Sequence, residues 1–281
     1  MLTSSIAGQV LSRALSQGGS FAEIFYEDTT EWSAVLSANR IENAALSRPR
    51  GAGIRIYDGL RSIYVYTCDV SLAGLLRCAE RAAAAVTETK GTGRDVVLHE
   101  SVTKNIHAIR EPMLSVPAQQ RADVLRAVNS AARAVSDAIV QVRAGLTSRE
   151  QNVIIANSEG LFTGDTRTYT RLACSVVASD GKENQTGFFG PGAHMGFELF
   201  KERIDPAAAG ERAAKQAATM LTAPYCAAGE MPVVIAGGFG GVIFHEACGH
   251  SLEATSVEPG MSEFSGKLGQ QIGRASCRER V

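Results

Sequence analysis

Apolar residues recur along this chain with two different periods, and the switches between them mark out the elements. Ile6, Val10, Leu11, Ala14 and Leu15 share one helical face, with Ser4 or Ser5 as the cap. Residues 22–27 and 32–36 read as short strands, and 53–57 faces 62–66 across Asp58-Gly59, a dipeptide that favours a tight hairpin. Leu72, Leu75, Leu76, Ala79 and Ala83 lay one apolar stripe along a helix over 71–86. A polar stretch over 87–103 precedes a second helix over 117–136. Pro117 suits its first turn, where a backbone N–H would lack a partner in any case.

Past residue 138 the period returns to two. Segments 139–146, 152–156 and 168–178, and one more after Asp180-Gly181, predict an antiparallel meander turned at Ser158-Glu159-Gly160 and Asp180-Gly181. A glycine-rich loop follows over 186–192, and Asp205-Pro206 opens an alanine-rich helix ending near Leu221. Strands and helices in separate runs predict an α+β fold. The expected boundaries are an N-terminal α+β domain over 1–224, a linker within 225–230, and the beginning of a second domain over 225–271. In the second domain, 231–236 reads as a buried strand, 237–241 as a glycine loop, and the residues after it as a helix bearing His245, Glu246 and His250.

Composition narrows the partners. With 45% apolar and 20% charged residues the chain can bury a real core. The formal charge of −1 gives no electrostatic case for nucleic acid or an anionic membrane, so peptides, small molecules and other subunits are the expected partners. No apolar run approaches the roughly 18 residues of a membrane span, and the N-terminus has no basic patch leading into an apolar run as a secretion signal would. The six cysteines show no CxxC spacing, which argues against a disulfide framework or zinc ribbon and suits a reducing cytoplasm. Residues 272–281 have neither periodicity nor a capped ending. Back-translated, the stretch from Gln271 resembles a sequencing adapter read in frame, so 272–281 is expected to be a non-native tail, without which the charge is about −3.

The chemistry gathers at His245-Glu-Ala-Cys-Gly-His250. Zinc peptidases commonly place two histidines four apart, about 40° from each other on one helical face, with the adjacent glutamate as general base. A spacing of five puts them about 140° apart on a regular helix, so a shared metal requires one extra residue in the turn, as in a π-bulge. Gly249 lies within the interval and would lower the cost of that distortion, while Cys248 reads as a packed core thiol facing away from the imidazoles. Glu253 is either a hydrogen-bond partner behind one of the histidines or an exposed helix charge. His99, His107 and His194 read as surface or core histidines, with His194, in Gly190-Pro-Gly-Ala-His, able to reach a substrate. The glycines at 237–241 do not make a dinucleotide loop, because Ile243 stands where its third glycine belongs and no acidic residue ends a second strand downstream.

Gly241-Val-Ile-Phe-His-Glu-Ala-Cys-Gly-His-Ser-Leu-Glu253, continuing into Phe264-Ser-Gly-Lys-Leu-Gly-Gln270, resembles the TldD/PmbA family, specifically its TldD-like catalytic branch. Ala22-Glu-Ile-Phe-Tyr-Glu27, Arg40-Ile-Glu42, Gly51-Ala-Gly-Ile-Arg55 and Tyr64-Val-Tyr-Thr67 resemble its N-terminal domain. The resemblance implies a metal-dependent peptidase acting on unfolded or short polypeptides. It also implies an enclosed active site in a homodimer or in a heterodimer with a PmbA-type subunit. His245 and His250 would be zinc ligands and Glu246 the catalytic base, with a third ligand, a cysteine, expected beyond this chain. Cys277 lies in the suspect tail and does not fill that place. A segment holding only two of three ligands is expected to bind zinc weakly and to be inactive by itself. The alternative is a non-catalytic peptide-binding or assembly subunit like the family's metal-free branch, against which the intact His245, Glu246 and His250 set argues.

Overall fold

Along the chain run α1 (Ser4–Ala14), β1 (Phe21–Ser37), β2 (Arg40–Ser47), β3 (Arg50–Asp58), β4 (Arg61–Thr67), α2 (Leu72–Ala84), β5 (His99–Val102) and α3 (Ala118–Ala134). They are followed by β6 (Ile139–Asn157), β7 (Leu161–Ser179), β8 (Asn184–Phe189), β9 (Gly192–Ala193), α4 (Leu199–Glu202), α5 (Pro206–Thr222), α6 (Gly241–Phe244) and α7 (Ala254–Val257). This computed structural model describes residues 2–89, 91, 93, 95–102 and 104–270; the expected tail over 272–281, with Cys277, lies outside the described residues. The chain divides into two compact units, Met1–Pro224 and Tyr225–Val281. Among the described residues no helix is long and apolar enough to cross a membrane.

The first unit is α+β, built on a nine-stranded sheet ordered β4-β3-β1-β6-β7-β5. β2 lies beside the second half of β1, and β8 and β9 lie beside β7. All pairings are antiparallel except β5 with β7, which is parallel. The polar stretch over 87–103 thus contains a strand that its composition hides. The separate short strands expected at 22–27 and 32–36 are one strand, β1, and those at 139–146 and 152–156 are likewise one strand, β6. The polar residues between them break the apolar alternation, but strand continuity here rests on backbone pairing. Asp28, Thr29, Thr30 and Glu31 stay in register with Asn152, Gln151, Glu150 and Arg149, and Arg149 reaches Glu31 at 3.1 Å.

Two cores sit on this sheet. One packs α1 and α2 on the first half of β1, around Val10, Leu11, Ile24, Ile54, Ile56 and Leu75. The other packs α3 and α5 on the second half, around Leu36, Leu125, Val128, Leu146, Leu172 and Val176. Side chains stop the helices where the backbone leaves donors unpaired. The cap of α1 is Thr3, whose hydroxyl accepts the Ile6 N–H at 3.3 Å. Ser4 and Ser5 are already inside the helix and cannot serve. Ser71 caps α2 through the Gly74 N–H, and Asp205 caps α5 through the Ala207 N–H at 2.9 Å, one residue before Pro206.

Pairing of Asp58 with Arg61 puts Gly59-Leu60 at the hairpin turn, where Gly59 takes φ +62°. Asp58 is therefore one place outside the turn, and its buried carboxylate accepts the N–H groups of Thr87, Glu88 and Thr89 at 2.6–3.0 Å and the Thr89 hydroxyl at 2.6 Å. The Thr89 hydroxyl, then these amides, hold its carboxyl far below the usual range. Glu198 does similar work in the second core. Buried, it accepts the N–H groups of Arg110, Glu111 and Gly196 at 3.0–3.2 Å, tying the loop before α3 to the loop before α4.

The second unit departs from expectation in one respect. Residues 231–236 form no strand, and Val233 and Val234 are 74% and 97% exposed. A strand exists only by pairing, and among the described residues of this unit there is no strand for it to pair with.

Candidate metal centre

The helix that carries the candidate residues is not regular. α6 opens it at Gly241, a π-helical turn covers His245–Gly249, and a 3₁₀ turn covers His250–Leu252. The defining bond runs from the His250 N–H to the His245 carbonyl, five residues back. The wider turn brings position 250 over position 245, which a regular helix would turn far apart. The two imidazoles meet edge to face with centroids 4.5 Å apart. The extra residue required by the spacing is thus present as a π turn.

Gly249 does not act as the sequence suggested. Its φ of −59° and ψ of −49° are ordinary right-handed helix, so no glycine freedom is used. What it leaves is space: a Cβ there would sit 3.4 Å from His245 Nδ1, in simple contact with the ring. Cys248 is not a core thiol. It is half-buried, and its Sγ lies 3.1 Å from the Phe244 carbonyl, satisfying the helix backbone rather than packing.

One ligand atom from each of His245, Glu246 and His250 lies within 4.8 Å of the others, and all three residues are exposed. Two nitrogens bound to one zinc, each about 2 Å from it, stand roughly 3.3 Å apart, so small rotamer changes would close the group. Two imidazoles are donors that suit a divalent metal, and with the Glu246 carboxylate beside them the residues present fit a metal. The His250 ring is flanked on both nitrogens. Its Nδ1 is 2.7 Å from Glu253 Oε1, whereas its Nε2 is 3.6 Å from Glu246 Oε2, beyond hydrogen-bond length. The bond to Glu253, then the charges of Glu253 and Glu246, raise the pKa of His250 above the ordinary histidine value. Glu253 is therefore more than a solvated charge. His194 lies in the first unit, its ring 3.9 Å from that of Tyr169 and 4.8 Å from that of His107.

Sequence comparison covers most of the chain. Residues 22–86 match the PmbA/TldA metallopeptidase domain 1, residues 111–221 its central domain and residues 228–277 its C-terminal domain. The chain belongs to the TldD/PmbA family. Among TldD/PmbA relatives, the Metalloprotease TldD homolog of Haemophilus influenzae is 29% identical over 263 residues, 92% of this chain and 54% of that protein. A metalloprotease of Methanothermobacter thermautotrophicus is 28% identical over 255 residues, 90% of this chain and 54% of that protein. The chain spans about half the length of the curated relatives it matches. Crystal structures share the fold. A Bacteroides thetaiotaomicron protein described as a candidate modulator of DNA gyrase aligns with a TM-score of 0.73 at 14% identity, over 97% of this chain and 62% of that one. TldE from Thermococcus kodakarensis aligns at 0.59 and 15% identity, over 89% and 56%.

His245, Glu246 and His250, which the structure brings together, were visible in the sequence. The carboxylates of Asp58 and Glu198 were not visible as structural groups. Their partners lie 29 to 31 and 87 to 88 residues away, apart from Gly196, and no local pattern announces such a contact.

Proposed function

We propose that this chain carries the zinc-binding helix of a peptidase that hydrolyses unfolded or short polypeptides, with His245 and His250 as ligands and Glu246 as general base. The observation that carries the reading is the π turn, which draws both imidazoles and the adjacent carboxylate into one group despite a spacing of five. A zinc ion held there would supply Lewis acidity toward the scissile carbonyl and its attacking water. Glu246 takes the water's proton on a carboxylate oxygen and returns it to the leaving amine. His245 and His250 orient the group. A cytoplasmic setting, a third ligand beyond this segment, and pairing with a like or PmbA-type subunit belong to the same reading.

The test is metal content after dialysis, measured with hydrolysis of an unstructured peptide by the full-length protein carrying this segment. His245→Ala or His250→Ala should lose zinc and activity together, because too few ligands remain to hold a catalytic ion. Glu246→Gln should keep the metal and lose roughly 100-fold or more in kcat, since the amide cannot accept the proton. Full zinc occupancy in either histidine variant would overturn the ligand assignment, and parental activity in Glu246→Gln would transfer the base role elsewhere.

A further inference from the structure

Two carboxylates approach the same imidazole from opposite sides, and the geometry separates their work. Glu246 stands 3.6 Å from His250 Nε2, while Glu253 stands 2.7 Å from His250 Nδ1. Only the second distance is a hydrogen bond. Glu253 occupies the residue immediately before α7, and its carbonyl accepts the N–H groups of Ser256 and Val257 at 2.9 Å. An acidic side chain in that place ordinarily turns onto its own helix and accepts a free N–H. Here it makes no such cap and turns back to the imidazole, with the Thr255 hydroxyl 3.5 Å from its other oxygen. The Glu253 N–H also donates to the His250 carbonyl at 3.3 Å, so backbone and side chain both join the two residues. His245 has no such carboxylate partner among the described residues, and its Nδ1 lies 3.4 Å from where a Cβ on Gly249 would stand.

We propose that Glu253 is the positioning residue of the centre, and that it makes the two histidines inequivalent. By accepting a hydrogen bond from Nδ1–H it selects the tautomer in which His250 Nε2 carries the free lone pair, and it holds that nitrogen on the side of Glu246. A histidine anchored in this way is a better-oriented and more basic donor. His250 is thus the fixed ligand, and His245 the one that adjusts to an incoming ion. This rests on the ligand reading above, so the test must separate the two.

The tautomer can be read without metal, from two-bond nitrogen–proton correlations of the His250 ring in the 15N-labelled protein above pH 8. The parent should show the Nδ1–H form, Glu253→Ala should revert toward the Nε2–H form that an unconstrained histidine side chain prefers, and Glu253→Gln, whose carbonyl still accepts, should keep the parental pattern. Titration with Zn2+ alone should show a loss of about 10-fold or more for Glu253→Ala and a smaller one for Glu253→Gln. Parental tautomer and parental zinc affinity in Glu253→Ala, alongside lost zinc binding in His250→Ala, would overturn the positioning role and leave the ligands standing. Undiminished zinc binding in His250→Ala would overturn both.

Discussion

Replacing Gly210 with alanine sets two known effects against each other. Gly210 is buried on α5, where that helix crosses α3, and a Cβ built there would lie 2.3 Å from the Val128 carbonyl oxygen and 3.1 Å from the Val128 Cα. Comfortable contact needs about 3.5 Å, so the helices must part by roughly 1 Å, because a backbone carbonyl cannot rotate aside. A gap of that size forfeits a quarter to a half of each attraction across the seam, where Ala209, Ala213 and Ala214 meet Val124, Leu125 and Val128 in one core. Overpacking of this kind costs about 1–3 kcal/mol, and the rigid neighbour puts this site at the upper end. Alanine's better helix propensity returns about 1 kcal/mol. The expected net loss is about 2 kcal/mol. Urea unfolding followed by Trp32, the only tryptophan, reports on this core, since that ring packs against it under the Arg121 guanidinium. With a urea slope of about 2–3 kcal/mol/M, the midpoint should fall by about 0.7–1 M at unchanged slope. Gly145→Ala, where a Cβ would meet nothing within 4 Å, is the control and should shift stability by less than about 0.5 kcal/mol. A Gly210→Ala midpoint at or above the parent's would refute the argument, since propensity would then outweigh contact.

Two further outcomes follow from buried groups. Burial alone would raise the Glu198 pKa, but the backbone N–H donors around it prevail and hold it below the ordinary glutamate value. Its stabilising effect is therefore complete above the unfolded-state pKa, about 4.3, and is lost as pH falls through the lower folded-state value. Glu198→Gln should cost about 1–3 kcal/mol at neutral pH, by facing an amide N–H₂ toward backbone donors, and should flatten the dependence of the urea midpoint on pH below 5; an undiminished acid slope in the variant would exclude Glu198 as its source. Burial pushes the Cys174 thiol up to about 11, and Cys78 is raised by the same cause, whereas Cys68 and Cys226 are exposed. Iodoacetamide at pH 8 should label Cys68 and Cys226 in the folded protein and reach Cys78 and Cys174 only on unfolding, as peptide mass spectrometry would show; early labelling of Cys174 would contradict the packing of the second core.

Where sequence and structure agree, the signal was local. Gly59 takes φ +62°, the left-handed conformation that glycine favours, Asp205-Pro206 caps and starts a helix, and the five-residue spacing from His245 to His250 requires a π turn if both rings are to meet. Where they part, the cause is distant. β2 is exposed along almost its whole length and carries no apolar alternation, so only its pairing with β1 makes it a strand. β5 is likewise a strand only through its parallel contact with β7. The apolar run at 231–236 has the composition of a strand and, among the described residues of its unit, no partner. Of the candidate site, the residue identities were legible because HEACGH is contiguous. The direction in which Glu253 turns was open, since three residues of separation permit either solvent or His250.

The seam between β1 and β6 bears on how the protein can be taken apart. β1 falls in the first family match and β6 in the second, yet they stay hydrogen-bonded from Glu23 to Ser37 along one side of β1. Two regions that separate cleanly as text are thus woven into a single cloth. A protease nick between residues 87 and 110 would cut the thread without parting the fabric, and the fragments would migrate as one particle until denatured. Either region expressed alone would present a long raw edge, with a full row of unanswered amides and carbonyls, as a template for aggregation.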